Sequence, residues 1–140
     1  MPMKLPDNHQ RGINAIAVVI EKKLEAMQNA LNRNKTNTRG IAMSYINDVS
    51  EENRNLILKD IDDLYHLLEK FCLRYQIPKQ DYSLKRELNT SATFLWVDLA
   101  DANGKSLKGF GKLDPEIIKE YDTFINQMIE KTNKIAHITN

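Results

Sequence analysis

The sequence has 140 residues, of which 28% are charged, 41% are hydrophobic and 7% are aromatic. Lys and Arg number 20 against 19 Asp and Glu, and this near balance excludes the strong overall positive field of a dedicated nucleic-acid binder. The single cysteine excludes an intramolecular disulfide, and a chain of this length buries enough apolar surface to fold without a structural metal.

Apolar residues recur three and four residues apart in four stretches, whereas no stretch of comparable length alternates as a half-buried strand would. Gly and Pro fall almost entirely between these stretches. The spacing predicts an N-terminal arm at 1–7 and four helices at about 8–34, 49–76, 81–109 and 115–138.

The connections between the predicted helices indicate their arrangement. Those at 77–80 and 110–114 are short and favour antiparallel neighbours, while the link at 35–48 is long enough to cross one end of a bundle or to form a short helix. We therefore predict an all-α fold in which residues 1–140 form a single domain, an up-down-up-down four-helix bundle. The sequence leaves open whether one chain completes this bundle or a second copy does.

Several helix ends carry recognisable signals. Asp48 and Glu51 are spaced for capping helix 2, and helix 3 is expected to run through Gly104 at a cost of about 1 kcal/mol relative to Ala. Helix 4 is expected to begin at Pro115, with Asp114 as its N-cap.

The segment Ala92–Ala100 departs most clearly from a plain amphipathic helix, because seven of its nine residues are apolar and Asp98 is its only charge. A helix of this kind is either covered by another element or presented to a partner. The link at 35–48 is also rich in apolar residues, so it could supply that cover or extend the surface. Trp96 is the expected aromatic anchor. The candidate interaction surface comprises Phe94, Trp96 and Val97 on helix 3 and Ile41, Met43 and Tyr45 in the link.

Two small basic clusters make nucleic-acid or anion binding the first alternative function. The cluster around the end of helix 1 has no interleaved aromatic residues for base stacking. The cluster around the end of helix 3 lacks the preceding strand and the upstream glycine of a phosphate-binding loop. Lysines near a helix C-terminus also complement the helix dipole without any ligand. The two clusters consist of Arg33, Lys35 and Arg39, and of Lys105, Lys108 and Lys112.

The acidic stretch Asp60–Glu69 makes a metal-dependent enzyme the second alternative, since carboxylates and an imidazole three or four residues apart share a helix face. Its candidate ligands are Asp62, His66 and Glu69. Helical phase places them on the outer side of helix 2, in water, where Asp62 and His66 would interact as an i,i+4 pair. We therefore expect no metal centre, no cofactor and no catalytic residue.

These features favour a non-enzymatic helical protein that binds itself or another protein through helix 3 and the link. A protein partner, which includes a second copy of the chain, is favoured over nucleic acid. The first ten residues contain no apolar leader and no apolar run is long enough to span a bilayer, so a cytoplasmic location without a membrane partner is expected.

Overall fold

A computed structural model describes residues 3–33 and 38–140 of the chain and shows that they are mostly helical. The predicted all-α class is confirmed, while the up-down-up-down four-helix bundle stays a prediction. The chain divides into two compact units, Met1–Lys79 and Gln80–Asn140. In chain order the helices are α1 (Asp7–Arg33), α2 (Glu51–Arg74), α3 (Leu84–Asp101), α4 (Gly104–Leu107) and α5 (Pro115–Ile138), with a 3-10 helix at Lys108–Phe110.

In the first unit, α1 and α2 form an antiparallel pair. The Met3 amide donates to the Arg74 carbonyl at 2.7 Å, which joins the start of α1 to the end of α2. At the other end, the Arg54 guanidinium donates to the Leu31 carbonyl at 2.6 Å. The buried residues between the helices are Ala17, Leu24, Ile61 and Leu68.

The link between α1 and α2 contains a short antiparallel ladder rather than a helix. Strands β1 (Thr38–Arg39) and β2 (Ser44–Tyr45) pair across a turn in which the Gly40 amide donates to the Met43 carbonyl at 2.7 Å. Strands of two residues are too short to show alternation in the sequence. The cap of α2 also differs from expectation, because the Ser50 hydroxyl, and not Asp48, accepts from the amide of Asn53 at 3.1 Å.

In the second unit, α3 and α5 form another antiparallel pair. The Asn89 side-chain amide donates to the Ala136 carbonyl at 2.9 Å, and near the other end the Tyr121 hydroxyl donates to the Ala102 carbonyl. Ala92, Leu99, Ile125 and Thr132 are buried in this unit. The Thr132 hydroxyl is satisfied by donating to the Met128 carbonyl one turn earlier, at 2.8 Å.

The predicted continuation of helix 3 to residue 109 is wrong, because α3 ends at Asp101. The side-chain oxygen of Asn103, Oδ1, accepts from the Ser106 amide at 3.2 Å, and its side-chain amide, Nδ2, donates to the Ala100 carbonyl at 2.9 Å. Asn103 thereby ends one helix and caps the next, and the chain changes direction at α4. Helix α5, by contrast, spans the predicted residues, with Asp114 as its cap and Pro115 in its first turn.

Within the part of the chain that the structure describes, no helix has the length and apolar character needed to cross a membrane.

Candidate interaction surface

The three candidate residues of helix 3 lie in two different sectors of α3. Phe94 is 67% exposed, and Trp96 and Val97 are also exposed. At about 100° per residue, Phe94 and Val97 lie on the outer side of α3, away from the buried Ala92. Trp96 lies on a flank of the contact with α5, so the structure brings Phe94 and Val97 together and leaves Trp96 apart from them.

A second apolar sector of α3 consists of leucines that the helical spacing assigns to the core. Leu84, Leu88 and Leu95 are exposed, whereas Ala92 and Leu99 are buried against α5. Helical spacing predicts one buried stripe of Leu84, Leu88, Ala92, Leu95, Leu99 and Ala102, and this prediction is wrong for the three exposed leucines. They lie about 60° to one side of the line through Ala92 and Leu99.

Helix α5 shows the same displacement of its apolar residues. Ile125 and Thr132 are buried, while four large side chains about 80° to one side of them are exposed. Viewed from the N-terminus of each helix, the exposed side chains are rotated in the same direction from the buried ones. Because α3 and α5 are antiparallel, the exposed side chains of both helices therefore lie on the same side of the pair. We call this side the α3–α5 open face. It comprises Leu84, Leu88 and Leu95 of α3 and Ile117, Phe124, Met128 and Ile135 of α5.

Sequence reasoning missed the open face for a physical reason. Helical periodicity shows which residues are apolar, but a stripe wider than one helix contact is buried only when a third element covers it. The signal for the open face is the width of the apolar stripes on α3 and α5. Apolar residues on both helices extend well beyond the line of buried ones.

The candidate residues of the link are also solvent-accessible. Ile41 lies fully exposed in the turn between β1 and β2, and Met43 is exposed beside it. Tyr45 is half-buried, with the Arg33 guanidinium 4.7 Å from the centre of its ring. A cation above a ring face is an attractive arrangement that holds both groups within the unit. Arg33 is thus engaged with Tyr45 in the structure.

The first basic cluster has two further members, Arg39 and Lys35. Arg39 belongs to β1, and Lys35 lies outside the described residues.

The second basic cluster surrounds an exposed aromatic ring. Lys105, Lys108 and Lys112 are all exposed, and Phe110 between them is 92% exposed. An aromatic residue beside a glycine cap is expected to pack over its own turn, and for Phe110 this prediction is wrong. Gly111 follows Phe110 with φ +125°, a backbone angle that glycine adopts without strain.

The acidic residues of α2 form a solvated face. His66 and Asp62 lie 3.5 Å apart, with side chains 64% and 73% exposed. An exposed pair of this kind contributes little to stability. Among the described residues, no group of three or more His, Cys, Asp or Glu side chains is placed to hold a metal ion.

Cys72 packs beside the buried core of the first unit. Burial raises the pKa of its thiol above the ordinary value, and the nearby Glu21 carboxylate raises it further. A raised pKa keeps the thiol protonated at neutral pH, which is the opposite of the activation that a nucleophilic cysteine requires.

Comparison with protein-family models, with curated proteins and with solved structures finds no match to this chain.

Proposed function

We propose that this chain is a non-enzymatic interaction protein that binds a second copy of itself or another protein through the apolar surface of α3, with the link contributing further apolar contacts. One observation carries the proposal: α3 exposes large apolar side chains in two sectors, the outer side with Phe94 and Val97 and the α3–α5 open face. The up-down-up-down four-helix bundle, completed within one chain or by a second copy, is part of the proposal.

The size of the open face supports an interaction. Its seven side chains are each about half exposed. With about 200 Å² for each free side chain, they offer about 700 Å² per copy, close to the roughly 800 Å² that each partner contributes to an interface of standard size. Contiguous apolar surface of this extent marks interaction sites more often than ordinary protein surface.

Absolute mass measured by light scattering across a dilution series tests the proposal. A chain that binds itself has a mass above the 16.2 kDa of one copy, and this mass falls on dilution. We expect Phe94→Asp on the outer side of α3, or Leu95→Asp in the α3–α5 open face, to lower the mass. Each change would bury a carboxylate in the apolar contact between copies, which is strongly unfavourable.

The control is Asn126→Asp, which adds the same charge at an exposed polar position of α5 and should leave the mass unchanged. Circular dichroism establishes that each variant stays helical. If the chain is a monomer of 16.2 kDa and binds an apolar dye less after Leu95→Asp, the open face is exposed in solution and self-association is excluded in favour of a foreign partner within this proposal. The proposal is contradicted if the chain has the mass of one copy, 16.2 kDa, and binds no apolar dye.

A further inference from the structure

The segment from Ala102 to Leu113 carries a surface that the apolar faces of α3 and α5 do not explain. Its aromatic residue, Phe110, is 92% exposed, more than any other aromatic side chain that the structure describes. A Cβ atom placed on either flanking glycine, Gly109 or Gly111, would have no neighbour within 4 Å. The ring therefore stands on an uncrowded turn, with its faces open to a planar ligand.

Within this segment the charged side chains all have one sign. Lys105, Lys108 and Lys112 are exposed, and the twelve residues from Ala102 to Leu113 include no Asp or Glu. In the described part of the chain, neither salt bridge that the structure contains involves any of the three lysines. The segment itself therefore carries three positive charges, with Asp101 and Asp114 at its borders and the Asp122 carboxylate at Gly104, on a chain whose net charge is +1.

A shallow pocket of about 410 Å³ lies at the end of the segment, with Gly111, the residue after Phe110, in its lining. Two of the lysines, Lys108 and Lys112, line it together with the apolar side chains of Leu113 and Ile118. A pocket lined by both cations and aliphatic groups suits a phosphate joined to a less polar sugar or base.

We infer that the segment Ala102–Leu113 binds single-stranded nucleic acid, with its three lysines contacting phosphates and Phe110 stacking on a base. Cations that follow the backbone beside an aromatic platform are the arrangement by which proteins bind single strands without sequence preference. Paired bases offer no free face to one exposed ring, so the geometry fits a single strand better than a duplex. This inference is independent of the apolar surface of α3, because none of its residues belongs to that surface.

Fluorescence anisotropy of the full chain with a labelled thymidine oligonucleotide of about 16 nucleotides tests the inference. Three phosphate contacts predict that the logarithm of the association constant falls against the logarithm of salt concentration with a slope of about −2. Each Lys→Gln change at 105, 108 or 112 should lower affinity and reduce this slope by about 0.7. Lys119→Gln, at an exposed lysine of α5 outside the segment, is the matched control and should change neither.

Two substitutions of Phe110 separate stacking from simple apolar contact. Phe110→Leu keeps apolar bulk but removes the ring, so we expect affinity to fall about tenfold, whereas Phe110→Trp should retain it. Both changes lie at an exposed position and leave the buried residues of the unit untouched. Absence of binding at about 50 mM salt, or equal affinity of the Leu variant and the unaltered chain, would overturn the inference. Binding to phosphatidylserine vesicles that survives Phe110→Leu, without binding to the oligonucleotide, would overturn it in favour of a lipid surface.

Discussion

Gly104 is the residue at which the second unit depends most directly on the absence of a side chain. A Cβ atom there would lie 2.6 Å from Cγ2 of Ile118 and 2.9 Å from both carboxylate oxygens of Asp122. The Gly104 amide donates to that same carboxylate at 2.6 Å. The sequence suggested only a weak point inside a long helix, whereas the structure shows a close approach of α4 to α5 that requires glycine.

We expect Gly104→Ala to lower the free energy of unfolding by about 1–3 kcal/mol, because Ile118 and Asp122 must shift to admit the new methyl group. Gly12→Ala is the matched control, since Gly12 lies in α1 with nothing within 4 Å of an added Cβ. That control should raise stability by about 0.5–1 kcal/mol through better helix propensity. Urea denaturation measures both values, and equal effects of the two changes would contradict this account of Gly104.

At the scale of elements, the break between α3 and α4 determines where the positive segment begins. Asn103 makes two hydrogen bonds there, one to the helix that ends and one to the helix that begins. Because an alanine at this position can make neither side-chain bond, the turn would retain only its other bonds, such as that of the Ser106 amide to the backbone carbonyl of residue 103. The orientation of Lys105 and Lys108 follows from this turn, since both residues come directly after it.

Asn103→Ala should therefore lower stability by about 1 kcal/mol and speed amide exchange at 104–107. Hydrogen exchange followed by mass spectrometry checks this, with Asn126→Ala on the polar side of α5 as the control. If exchange in α4 is unchanged in the Asn103 variant, the cap is not what orders this turn.

The helices were predictable to the extent that their signals are local. Helix α5 matches its predicted bounds because Asp114 and Pro115 fix its start. The end of α3 was missed because an asparagine cap inside an apolar stripe competes with a periodicity that continues past it. The residues of the open face were predicted as apolar and helical, but their exposure depends on tertiary contacts that periodicity does not encode.

At the scale of the whole molecule, each unit contains its own buried residues, such as Leu24 and Ile61 in the first and Leu99 and Ile125 in the second. Stability within a protein follows such local groups of packed residues and is not uniform along a chain. The two units are therefore expected to open separately.

Leu99→Ala tests this expectation, since truncating a buried leucine costs about 2–5 kcal/mol. We expect faster amide exchange over α3 and α5 and unchanged exchange over α1 and α2. Leu24→Ala should produce the converse pattern. Loss of protection throughout the chain in either variant would show that the units unfold as one.

The antiparallel pairing also brings the ends of each unit side by side. The second turn of α3 is bonded to the end of α5 through Asn89, and Met3 is bonded to Arg74 at the end of α2. A chain segment that enters and leaves at one point can be inserted into a surface loop of another protein with little strain on its host. The second unit is accordingly a natural candidate for circular permutation, with Gln80 joined to Asn140 by a short linker and new ends opened at Gly111.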